Sequence, residues 1–79
     1  MAKYLIRLDL IKNVSFYEGK TPWWHILKIE YLDGSINECS CCTYERTDKQ
    51  YARYQLLETA YNDIKNSFAH GKSFVEISL

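Results

Sequence analysis

Apolar and polar residues alternate along two stretches of the chain and then give way to a helical spacing. In residues 3–12, Tyr4, Ile6, Leu8 and Leu10 fall on one side and Leu5, Arg7, Asp9 and Ile11 on the other. That period of two predicts a strand with one buried face. Residues 13–22 (Asn-Val-Ser-Phe-Tyr-Glu-Gly-Lys-Thr-Pro) carry turn formers and predict a long connection. Residues 23–32 alternate again, with Trp23, His25, Leu27, Ile29 and Tyr31 on one face and Trp24, Ile26, Lys28, Glu30 and Leu32 on the other. Asp33-Gly34 tolerates positive φ at both positions, so it predicts a two-residue hairpin turn into a third strand over 35–44.

Thr47-Asp-Lys-Gln50 has the form of a capping box. Behind it Tyr54, Leu57, Tyr61, Ile64 and Phe68, flanked by Arg53 and Ala60, share one helical face. Gln55, Glu58, Thr59, Asn62 and Asn66 make the wet face, and Gly71 stops the helix. Residues 73–79 predict a last short strand.

The expected fold is therefore α+β in the order β-β-β-α-β. A four-stranded, mostly antiparallel sheet carries one long helix packed on one face. A helix of about 23 residues rises roughly 35 Å, about the length of a ten-residue strand. It returns the chain to the end where the third strand began, so the last strand is expected parallel to the first and third. Pairing beside the first strand gives the order 4-1-2-3; pairing beside the third is the alternative.

A turn at Asp33-Gly34 sets Tyr31 opposite Ile36, Ile29 opposite Glu38, Leu27 opposite Ser40, His25 opposite Cys42 and Trp23 opposite Tyr44. That face is expected under the helix. A slip of one residue would flip every side chain of the third strand. The opposite face would gather Leu5, Arg7, Asp9 and Ile11, then Trp24, Ile26, Lys28 and Glu30, then Asn37, Cys39, Cys41 and Thr43. Trp24, Ile26, Cys39 and Cys41 rimmed by Arg7, Asp9, Lys28 and Glu30 would have the anatomy of an interface, an aromatic anchor inside a charged rim. A covering loop over residues 13–21 is the bland alternative. Tyr51 lies off the helical stripe and, with Phe16 and Tyr17, is a second candidate contact.

Composition narrows the class. Seventy-nine residues predict one domain over 1–79. The chain is 47% hydrophobic and 15% aromatic with one Pro and three Gly, which argues for a folded core. Ten Lys/Arg against ten Asp/Glu leave no basic surplus to hold phosphates. Arg7 and Asp9 interrupt the first apolar run, so no signal peptide is read. No apolar run is long enough for a membrane span, and a reducing cytoplasm is expected.

Candidate chemistry is thin. Cys39 and Cys42 are formally C-x-x-C, but inside a strand they point to opposite faces, so no metal site is expected. Buried cytosolic thiols acting as small hydrophobes are the default, and strand geometry opposes a disulfide. His25 opposite Cys42 would be a thiol–imidazole pair, yet on the helix-covered face and without an orienting third group. No phosphate loop, H-E-x-x-H or G-x-S-x-G occurs. No catalytic residue or cofactor is expected. The small size and the Asn-, Lys-, Tyr- and Ile-rich usage resemble small phage and mobile-element proteins of AT-rich bacteria, which often inhibit a host or defence enzyme by binding it. The expected function is a non-enzymatic protein-binding module, with a second copy of the chain as one partner. Single-stranded nucleic acid stacked on Trp24 beside Lys28 and Arg7 is the alternative.

Overall fold

The computed structural model describes residues 3–79. The first predicted strand is broken in two. Strand β1 (Lys3–Arg7) ends in a short 3-10 turn, Leu8–Leu10, and the chain resumes as β2 (Ile11–Glu18). The turn lets Ile6, Leu8 and Ile11 all reach the interior, whereas Tyr4 and Leu10 are left 49% and 45% exposed. The expected connection over 13–22 is thus mostly strand: Val14 and Phe16 alternate with Ser15 and Tyr17. Strands β3 (Trp24–Tyr31) and β4 (Ile36–Cys42), helix α1 (Asp48–Ala69) and β5 (Phe74–Ser78) follow.

Five strands make two antiparallel sheets, β2-β3-β4 and a β1-β5 ribbon, in place of the single four-stranded sheet. Strand β5 runs antiparallel to β1, not parallel, with Tyr4 opposite Ile77 and Ile6 opposite Val75. The physical reason is the 3-10 turn, where the Leu8 N–H donates to the Ser73 carbonyl at 2.8 Å. It ends β1 at Arg7 and leaves that strand outside the β2-β3-β4 sheet, so β5 pairs with β1 alone.

The β3–β4 hairpin is one residue out of step with a two-residue turn. The Gly34 N–H donates to Tyr31 O at 3.0 Å and the Tyr31 N–H to Ser35 O at 2.9 Å. The loop is therefore Leu32-Asp33-Gly34, with Gly34 at φ 91°, the pattern of a three-residue hairpin loop. Leu27 consequently faces Cys39 rather than Ser40, Ile29 faces Asn37 rather than Glu38, and His25 faces Cys41 rather than Cys42. This correction turns every β4 side chain over and removes the polar Glu38 and Ser40 from the helix side.

Helix α1 has the expected ends. Thr47 Oγ1 accepts from the Gln50 N–H at 3.2 Å, while the Gln50 side chain reaches back past Thr47 to the Glu45 N–H at 3.0 Å. At the other end Gly71, φ 72°, donates to Phe68 O and Lys72 to Ser67 O, a Schellman motif. The helix packs on the Leu27 face of the three-stranded sheet and alongside β5. Leu27, Leu57 and Ile64 are the largest fully buried side chains, joined by Ile6, Leu8, Ile11, Ile29, Cys41, Ala60 and Ile77. Phe68, expected in the core, is 56% exposed; Ser67 turns inward instead. Among the described residues no helix is long and apolar enough to cross a membrane.

Two measurements follow from this packing. Leu57→Ala is expected to cost about 2–5 kcal/mol in urea unfolding, and Phe68→Ala about 0.5 kcal/mol or less; equal losses would put Phe68 in the core. The Asp33 carboxylate accepts from the Ser35 hydroxyl at 2.6 Å and its N–H at 2.8 Å, which holds its carboxyl below the ordinary 3.8. A depressed carboxyl contributes stability in full above its unfolded value and loses it as pH falls through the folded one. The stability gap between wild type and Asp33→Ala is therefore expected to narrow as pH falls below about 3.8. A gap constant from neutral pH into the acid range would show that the charge contributes nothing.

Candidate interaction face

The helix and the ribbon both pack on the side of β2-β3-β4 that carries Leu27 and Ile29, so among the described residues the other side has no covering layer. Antiparallel register places on this outer face Asn13, Ser15 and Tyr17 from β2, Trp24, Ile26, Lys28 and Glu30 from β3, and Ile36, Glu38, Ser40 and Cys42 from β4. Trp24 and Tyr17 are 40% and 41% exposed, and Ile36 is 50% exposed. Next to them Lys28 Nζ lies 3.7 Å from Glu30 Oε1, both side chains partly covered. Lys28 also stands directly opposite Glu38, so one cation is set among two carboxylates. The face thus has an apolar, aromatic end and a charged end.

Trp24 is held in place by what Gly19 lacks. The Gly19 N–H donates to Trp24 O at 2.7 Å, and a Cβ on Gly19 would come within 2.5 Å of Trp24 Cδ1. The indole therefore lies on bare backbone, where a side chain would lift it. Tyr17, Trp24 and Ile26 with the hairpin segment Glu18–Thr21 form an open, largely apolar hollow of about 570 Å³. An exposed aromatic already fixed in one place loses little entropy on contact, a property of interface anchors.

Of the sequence-predicted site residues, Trp24, Ile26, Lys28 and Glu30 come together here. The others do not. Arg7 is on the β1-β5 ribbon, paired with Asp9 at 2.9 Å. Cys39 and Cys41 belong to the helix-covered side once the register is corrected, and Cys42 takes their place on the outer face. Ile11 is buried. Tyr51 is exposed in the first turns of α1, apart from the sheet face. Phe16 packs inward against Tyr54, Tyr61 and His25, with ring centroids 5.5, 5.9 and 6.2 Å away. Tyr17, expected as a loop contact beside Phe16 and Tyr51, joins this face from a strand, and Ser15 and Asn13 were missed because residues 13–22 read as a connection; the alternation of Val14 and Phe16 with Ser15 and Tyr17 was the available signal.

The thiols and the histidine are arranged for packing. Burial pushes the Cys41 thiol up, against an opposing pull from the Arg53 charge, so the thiolate that a nucleophile requires is disfavoured. His25 meets Tyr54 edge-on at 4.6 Å, and its Nε2 lies 3.4 Å from Thr43 Oγ1. Burial first, then a hydrogen bond to Glu58, raises the Tyr54 phenol. Among the described residues no three His, Cys, Asp or Glu side chains converge as a metal site.

Gly19→Ala is expected to displace the Trp24 indole while leaving the fold intact, since the Gly19 backbone is not in the left-handed region. In a Trp23→Phe background the check is the Trp24 fluorescence maximum and quenching by iodide. Unchanged quenching would mean that Gly19 does not position the ring.

No family model matches the chain, no curated protein matches it, and no solved structure matches it.

Proposed function

We propose that the uncovered face of β2-β3-β4 makes this chain a small non-enzymatic protein-binding module, an inhibitor or adaptor of the phage or mobile-element type. The carrying observation is Trp24: large, exposed, seated on Gly19, at the apolar end of a sheet face that no other element among the described residues covers. Large exposed apolar patches with charged rims are characteristic of protein interfaces. Ile26 and Tyr17, opposite one another beside Trp24, extend the apolar contact. Lys28, Glu30 and Glu38 supply the charges that reject wrong partners. Glu30 and Glu38 also disfavour a polyanion on this face, which ranks single-stranded nucleic acid second.

The test is a tagged pull-down from lysate of the source cells under near-physiological salt, with Trp24→Ala beside the wild type. A stoichiometric protein is expected with the wild type, and the variant is expected to bind it roughly 30-fold or more weakly, as truncation of a hot-spot aromatic does. The melting temperature of Trp24→Ala is expected to stay close to wild type. Loss of fold together with binding would make Trp24 structural. Steeply salt-dependent retention on a single-stranded oligonucleotide, with no protein recovered, would replace this reading.

A further inference from the structure

The backbone of β4 offers a second surface. In the β3–β4 ladder the Tyr31 N–H bonds Ser35 O and the Thr43 N–H bonds Trp23 O. In an antiparallel pair every second residue points its backbone groups at the partner. Residues 35, 37, 39, 41 and 43 therefore turn towards β3. The N–H and C=O groups of Ile36, Glu38, Ser40 and Cys42 point away from it, and β4 is the last strand of its sheet.

The other sheet edges carry the usual defences against pairing. Strands β1 and β5 are five residues each, with Lys3 ion-paired to Glu76 and Arg7 at the end. Strand β2 is interrupted by a register shift at Lys12. Strand β4 has seven residues in unbroken register, with no Lys, Arg or Pro and only Glu38 charged. Short length, lysines, prolines and bulges are what protect exposed edges; β4 has none of them.

We propose that the chain forms a symmetric dimer in which β4 pairs antiparallel with β4 of a second copy, joining the sheets as β2-β3-β4-β4-β3-β2. The strand suits its own copy. A two-fold axis at Cys39 overlaps all of Ile36–Cys42 and forms about eight backbone hydrogen bonds. Ile36, half-exposed in the monomer, then packs beside Cys42 of the second copy, and Glu38 stands opposite a Ser40 hydroxyl. Like charges do not face one another, and each Glu38 keeps Lys28 as its neighbour on β3. An axis at Glu38 would oppose the two carboxylates directly and is disfavoured. The seam is one strand edge roughly 24 Å long, a narrow strip beside the ~1,200 Å² that stable complexes bury. The dimer is thus a weak one, populated between roughly 10 µM and 1 mM. It leaves the Trp24 faces of both copies on one side and uncovered, so it stands independently of the function proposed above.

Sedimentation equilibrium under reducing conditions, with amide hydrogen exchange at low and high concentration, tests the seam. The expected result is a monomer–dimer equilibrium in which the Glu38 and Ser40 amides exchange more slowly as concentration rises. Ser40→Pro removes an N–H that β3 does not use, so the variant is expected to keep its circular dichroism and remain monomeric. Ser40→Glu, placed opposite Glu38, is expected to weaken the dimer tenfold or more, and Ser40→Lys to tighten it. Trp24→Ala is expected to leave it unchanged. A wild type that stays monomeric to about 1 mM, or exchange of Glu38 and Ser40 independent of concentration, would overturn the proposal. So would a dimer equally strong in the Glu and Lys variants; those two side chains are exposed and decide the matter even if the proline variant does not fold.

Discussion

With φ at 91°, Gly34 allows Tyr31 to accept from Gly34 and donate to Ser35 at once, and this closure sets the pairing of β3 with β4. Every later feature depends on that register. It turns Cys39 and Cys41 towards α1, where thiols pack as small apolar groups, and sends Glu38 and Ser40 out to water. A two-residue turn would have buried Glu38 beside Ile29, where desolvation of an unpaired carboxylate costs several kcal/mol. The Asp33 carboxylate, bonded twice to Ser35, holds the loop in the longer form.

Once the hairpin has one apolar face, the helix has a place to dock. Leu57, Ala60 and Ile64 meet Leu27, Ile29 and Cys41 there. The same helix returns the chain to Ser73, whose carbonyl is waiting for the Leu8 N–H. That bond extends the β1-β5 ladder by one pair, and Ile6, Leu8 and Ile77 close the core from that side. The rest of the interior is filled by aromatic rings: Phe16, His25, Tyr54 and Tyr61 form a half-buried cluster at the β2 side of the helix. A chain this short has few aliphatic side chains to spare, and rings cover the remaining apolar area.

Because all of this packing is on one side, the three-stranded sheet keeps a bare face and a bare edge. The face is built from side chains, Trp24 on Gly19 at one end and Lys28 among Glu30 and Glu38 at the other. The edge is built from backbone, the outward groups of Ile36, Glu38, Ser40 and Cys42. They share β4 but draw on different chemistry, so one surface can be occupied without obstructing the other.

Local patterning by itself determined that residues 23–32 are a strand with Leu27 and Ile29 inward and Trp24, Ile26, Lys28 and Glu30 outward, because a period of two needs no partner to be read. It also determined both helix ends, because Thr47 and Gly71 act on backbone within a few residues of themselves. The stripe of Leu57, Ala60 and Ile64 was equally legible, although Phe68 was not: whether the last turn of an amphipathic stripe is covered depends on where the sheet ends. Only the tertiary structure decided the rest. A one-residue difference in a loop containing Asp33-Gly34 is too small to see locally, yet it moved Cys39 and Cys41 out of the candidate site. The return of β5 against β1 is a ladder from Lys3 opposite Ser78 to Arg7 opposite Phe74, far apart in the chain. Non-local pairing of that kind leaves no periodic trace in the chain, and it is what divided one expected sheet into two.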